Sequence, residues 1–95
     1  MIGSQWPNRT QRTVPMDNDL ALHIGRRLRA RRRILGLTQS QVAEACGLRF
    51  QQIQKYECGD CGVSASRLWQ LSQVLELPVS YFFEELSPGQ QKVAA

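Results

Sequence analysis

The chain has 95 residues, 42% of them hydrophobic, and a formal net charge of +4. That length supports one small domain with a modest core, and the basic balance suits an anionic partner without naming it. No run approaches the ~18 apolar residues of a membrane span, the N-terminus lacks a signal peptide's apolar core, and three cysteines cannot all pair, so a reduced, cytoplasmic protein is expected.

Residues 1–18 are polar, hold two prolines and show no period. They read as a flexible arm, with Met16 as an alternative start. From Asp19 the pattern turns helical, with Ile24, Leu28 and Leu35 on one face and Gly36 as the stop. Thr38 is a good N-cap for a second helix over 39–46, with Val42, Ala43 and Cys46 inward. Gly47 breaks the chain and Leu48 anchors the turn. A third helix is expected over 49–57, with Ile53 and Tyr56 inward. Residues 58–62 read as a loop. Ser64 caps a fourth helix over 65–76, striped by Leu68, Leu71, Val74 and Leu75. Pro78 suits the start of a short fifth helix ending near Glu85, with Phe82 in the core and Phe83 exposed. Pro88-Gly89 ends structure, leaving 86–95 as a loose tail. The expectation is an all-α domain of five short helices over 19–85.

Helices two and three, TQSQVAEACGLRFQQIQKYE, form a helix-turn-helix: two short helices joined by a tight Gly turn. The small Ala43 lets them approach. The outward residues of this pair are Gln39, Arg49, Phe50, Gln51, Gln52, Gln54 and Lys55. Glutamine offers the paired donor and acceptor that match an adenine edge in the major groove. Arginine and lysine match guanine or phosphate, and an exposed phenylalanine can meet a thymine methyl. A polar helix face taken alone is usually just solvated.

The stretch Ile24–Phe83 resembles the phage repressor/Cro type of helix-turn-helix, the XRE family. The resemblance rests on GLTQSQVAEACGL, on I-x-K-Y-E-x-G (Ile53–Gly59) and on RLWQLSQVLELPVSYFF. It implies a five-helix, lambda-repressor-like DNA-binding domain whose third helix enters the major groove. Gln39 would then contact the phosphate backbone at a helix start. Phe50, Gln51, Gln52 and Lys55 would read bases, and Arg49 would hold phosphate. Members of that family often carry Lys, Arg or Asn in the loop after the third helix to grip phosphate. This chain has Asp60 there and no base between residues 56 and 66, so the arm residues Arg9 and Arg12 are candidate substitutes.

Six arginines, Arg26, Arg27, Arg29, Arg31, Arg32 and Arg33, fall within eight residues. They read as a solvated face that attracts DNA at long range, or as a helix that binds RNA or an acidic protein. By helical angle Arg31 and Arg32 lie equally near the apolar stripe. The family resemblance favours Arg32, pairing it with Glu57. A charge at such an edge needs a partner.

Cys58 and Cys61 form a C-x-x-C. A zinc site wants four ligands, and the lone His23 is distant in sequence. A dithiol enzyme wants a βαβ frame that is not expected here. A redox-sensing pair and two residues without a role remain open. No catalytic constellation, metal site or cofactor is expected. The sequence therefore reads as a double-stranded DNA-binding transcriptional regulator, a repressor acting as a homodimer on a palindromic operator. The alternative is the antitoxin of a toxin–antitoxin pair.

Overall fold

The computed structural model describes residues 17–86; Arg9, Arg12, Met16 and residues 87–95 lie outside them. The described part contains four α-helices and a terminal 3₁₀ helix, with no strand among the described residues: α1 (Asp17–Ile34), α2 (Gln39–Cys46), α3 (Phe50–Cys58), α4 (Ala65–Val74) and the 3₁₀ helix (Val79–Phe83). Helix α1 begins two residues earlier than the apolar period implied, at Asp-Asn-Asp, a helix-start composition. Arg49 precedes α3 as its N-cap rather than opening the helix.

The fifth segment is 3₁₀ rather than α. The helical segment after Pro78 spans only five residues, and its bonds close at i→i+3, as in Tyr81 N–H to Pro78 O at 3.0 Å. This tight winding still buries Phe82 completely while leaving Phe83 40% exposed.

Each α-helix stops by the same device. The residue after the cap donates back across the last turn, as in Leu48 N–H to Ala43 O at 2.8 Å and Asp60 N–H to Lys55 O at 3.0 Å. The turn residue is left-handed: Gly47 has φ +71° and Gly59 +77°. Helix α4 uses Glu76 in this role, at φ +61°. That is why α4 ends at Val74, short of the position 76 its leucine stripe suggested.

The core sits where all five segments converge. Leu28 from α1, Val42 from α2, Ile53 from α3, Leu71 from α4, and Leu75 and Phe82 beyond it are fully buried. Helix α1 packs on α3 and on the 3₁₀ helix, and α2 packs on α3 and α4. Gly25 governs the α1–α3 approach. A Cβ there would lie 2.1 Å from Tyr56 O and 2.8 Å from Glu57 O. Both are backbone atoms, so no side-chain movement relieves the clash.

Arg27 ties α1 to the 3₁₀ helix. Its Nε donates to Tyr81 O at 3.0 Å, its guanidinium sits 4.0 Å over the Tyr81 ring, and Tyr81 Oη donates to Arg27 O at 2.9 Å. Tyr81 is thus engaged within the domain.

Replacing Gly25 by alanine is expected to destabilise the fold by roughly 1–3 kcal/mol or more, as overpacking does. Alanine at Gly62, where a Cβ meets nothing within 4 Å, is the comparison. Urea unfolding checks this; equal midpoints for the two variants would contradict it.

Candidate nucleic-acid interface

The α2–turn–α3 unit is held by local chemistry at each end. Thr38 and Gln41 form a reciprocal capping box: Gln41 N–H donates to Thr38 Oγ1 at 3.0 Å, and Thr38 N–H to Gln41 Oε1 at 2.8 Å. Val42 and Ala43 of α2 are buried, as are Ile53, Tyr56 and Glu57 of α3.

With those three residues turned inward, helical geometry puts Gln51, Gln54 and Lys55 on the opposite side, within an arc of about 100°. All three are exposed, and none has a side-chain hydrogen bond within the described residues. Arg49, just before them, is also exposed and makes no capping bond. Phe50 is 43% exposed. Gln52 lies on the flank, half-buried, and its Nε2 donates to Cys61 Sγ at 3.4 Å.

Behind this face lies a buried ionic cluster. Arg32 Nε donates to Glu57 Oε2 at 2.6 Å and Arg32 Nη2 to Glu57 Oε1 at 3.0 Å, a two-pronged pair. The side chains are only 13% and 3% exposed. Arg32 Nη1 also donates to Leu37 O at 2.8 Å, satisfying a carbonyl in the α1–α2 turn. Gln39 Nε2 donates to Glu57 Oε1 at 3.0 Å. One carboxylate thus joins the end of α1, the start of α2 and the end of α3. Arg31, equivalent to Arg32 by helical angle, instead donates from Nε to Leu75 O at 3.0 Å.

The arginine run therefore divides. Arg27, Arg31 and Arg32 are engaged within the fold. Arg26, Arg29 and Arg33 are exposed and form no salt bridge within the described residues. These three share one face of α1, at i, i+3 and i+7.

Sequence reasoning passed over Arg67. Its Nη1 donates to Cys46 O at 3.1 Å and to Gln70 Oε1 at 2.6 Å. The first bond satisfies a carbonyl at the C-terminus of α2, an end that favours a cation. Burial pushes the Cys46 thiol pKa up, and the positive charge of Arg67 opposes that rise. The signal available in sequence was a basic residue three beyond the Ser64 cap, which alone names no partner.

All three cysteines are free: Cys58 is exposed, and Cys46 and Cys61 are half-buried. Among the described residues no three His, Cys, Asp or Glu side chains converge as a metal site. His23 Nε2 lies 3.0 Å from Glu84 O, beside the 3₁₀ helix. No helix among the described residues is long and apolar enough to cross a membrane.

A helix-turn-helix family model, HTH_3, matches residues 28–82, and the chain belongs to that family. It is 51% identical over 72 residues to an uncharacterized HTH-type transcriptional regulator of Sinorhizobium medicae, covering 76% of this chain and 51% of that protein. The chain spans about half the length of the curated relatives it matches. Among solved structures, the restriction-modification controller protein C.AhdI of Aeromonas hydrophila superposes with a TM-score of 0.64 at 28% identity, covering 66% of this chain and 96% of that one. The clp gene regulator ClgR of Corynebacterium glutamicum superposes with a TM-score of 0.69 at 26% identity, covering 84% and 88%.

Arg32→Ala leaves Glu57 buried without its charged partner, with only the neutral Gln39 amide still donating to it. The expected loss is roughly 3–5 kcal/mol, as for other buried pairs broken from one side. Arg33→Ala, at an exposed position, is expected to stay near the parent. Thermal and urea unfolding of both variants decides this, and a matching pair of midpoints would contradict the cluster's structural role.

Proposed function

We propose that the chain is a sequence-specific, double-stranded DNA-binding transcriptional regulator without catalytic activity. The observation that carries this reading is the outer face of α3. Gln51, Gln54 and Lys55 are exposed and uncommitted on a helix whose other face is pinned by Ile53, Tyr56 and Glu57. Membership of a helix-turn-helix family and relatives named as transcriptional regulators support it.

In this reading α3 enters the major groove. Gln51, Gln52 and Gln54 present carboxamides to adenine edges, and Lys55 reaches guanine or phosphate. Phe50 contacts a thymine methyl, and Arg49 holds phosphate. Gln39 uses one amide N–H on Glu57, which leaves its second N–H for a phosphate oxygen. The Arg26, Arg29 and Arg33 face adds sequence-independent attraction that speeds encounter.

A single α3 reads only a few base pairs. A homodimer on a palindromic operator, with half-sites about one helical turn apart, doubles the information read. Occupying such an operator would repress transcription by excluding competing proteins.

The test is selection from a randomised duplex pool by reduced protein at ~150 mM salt, where non-specific contacts are weak. An enriched inverted repeat is expected. Gln51→Ala should then lose discrimination at one position per half-site, by about tenfold or more for a two-bond adenine contact. Salt-sensitive binding with no enriched sequence would contradict sequence-specific reading.

A further inference from the structure

Gln52 differs from the other glutamines of α3. Gln51 and Gln54 are exposed without a side-chain partner among the described residues, whereas Gln52 is half-buried and donates to Cys61 Sγ at 3.4 Å. The sulfur sits on a firm base. Cys61 packs against the core cluster. The loop before it is pinned by Asp60 N–H to Lys55 O at 3.0 Å. Gly59 closes against α1 so tightly that a Cβ there would lie 2.8 Å from Leu22 Cα. The loop that leads to Cys61 is therefore tied to α1 and α3, and Cys61 itself to the core.

We propose that Cys61 is a positioning residue for base recognition: its sulfur holds the Gln52 carboxamide in the orientation that reads DNA. The proposal rests on the DNA-reading role of α3 argued above. A carboxamide has two N–H groups and one carbonyl oxygen. An adenine edge engages one N–H and the oxygen. The sulfur takes the remaining N–H, so holding Gln52 does not compete with reading by it. The sulfur also selects between the two ends of the amide, because an acceptor at that point favours the nitrogen over the oxygen. A free glutamine must lose its side-chain freedom on binding, which weakens both affinity and discrimination. The bond to Cys61 already restricts that freedom of Gln52 in the folded protein.

Gln52 would then be the most discriminating of the three glutamines, and Gln51 and Gln54 the more tolerant. The C-x-x-C is explained in part by this bond. Cys61 is a hydrogen-bond acceptor facing the recognition helix, and Cys58 is an exposed helix-end residue that the bond does not involve.

The test uses the full chain and four variants, Gln52→Ala, Cys61→Ala, Cys61→Ser and the double alanine, each profiled on the same randomised duplex pool. Gln52→Ala identifies the base-pair position that Gln52 reads. Cys61→Ala is expected to lose discrimination at that same position, by roughly threefold to tenfold, the range of one modest hydrogen bond. Its affinity for an unrelated duplex should stay unchanged. Cys61→Ser keeps an acceptor and should retain most of the preference. Cys61→Ala should add nothing in the Gln52→Ala background. Additive effects, or an equal loss on all sequences, would reduce Cys61 to a packing residue and overturn the proposal. Should Gln52→Ala leave the parent's selected site unaltered, Gln52 reads no base and the proposal falls, while the DNA-binding reading stands. A parent profile with no selected site would overturn both. If Cys61→Ala melts too early to profile, Cys61→Val, which fills the space without an acceptor, decides: a loss confined to the Gln52 position supports the assignment, and an unchanged profile or an equal loss on all sequences overturns it.

Discussion

The Glu57 carboxylate is the constraint on which the interface depends. It is almost fully buried and sits near the end of α3, and a lone charge there would be prohibitively costly. Its cost is offset by three donors: two from Arg32 and one from Gln39. Because Arg32 belongs to α1 and Gln39 to α2, satisfying the carboxylate also sets how α1, α2 and α3 lie together. The face of α3 opposite Glu57 is then aimed by an interaction that it does not itself contain. Gly25 enforces the same arrangement sterically, letting the α1 backbone meet the Tyr56–Glu57 backbone where any side chain would hold it away.

Much of this fold was legible in the sequence, for reasons that are local. Thr38 and Ser64 announce helix starts, and Gly36, Gly47 and Gly59 announce stops. The 3.6-residue period picked out Leu28, Val42, Ile53, Leu71 and Leu75, all buried. Where local signals were silent or misleading, the reading slipped. Glu76 adopts a left-handed conformation that its residue type does not favour, so α4 read two residues too long. The last segment carried helix composition, yet five residues after a proline wind as 3₁₀. Gly25 went unremarked, although a glycine within a helix costs about 1 kcal/mol relative to alanine and so called for a packing reason.

The candidate site was harder to read because its decisive contacts are tertiary. Helical angle alone could not separate Arg31 from Arg32; the family resemblance could. Gln39 was assigned outward because it opens α2, yet one amide hydrogen turns inward to Glu57. No periodicity encodes that bond, which exists only once α3 lies across α2. The same holds for Arg67 on Cys46 O and for Gln52 on Cys61 Sγ. The C-x-x-C illustrates the general point. Its spacing suggested redox or metal chemistry, whereas one sulfur meets a glutamine nine residues earlier on α3.

In the proposed mode of binding, α3, and not the basic face of α1, carries recognition. Titrating isotopically labelled protein with its selected duplex and following side-chain and backbone amides by NMR tests this most directly. The largest shifts are expected at Gln39, Gln51, Gln52, Gln54 and Lys55, with small ones at Arg26, Arg29 and Arg33. Shifts concentrated on those three arginines, with α3 unmoved, would contradict it.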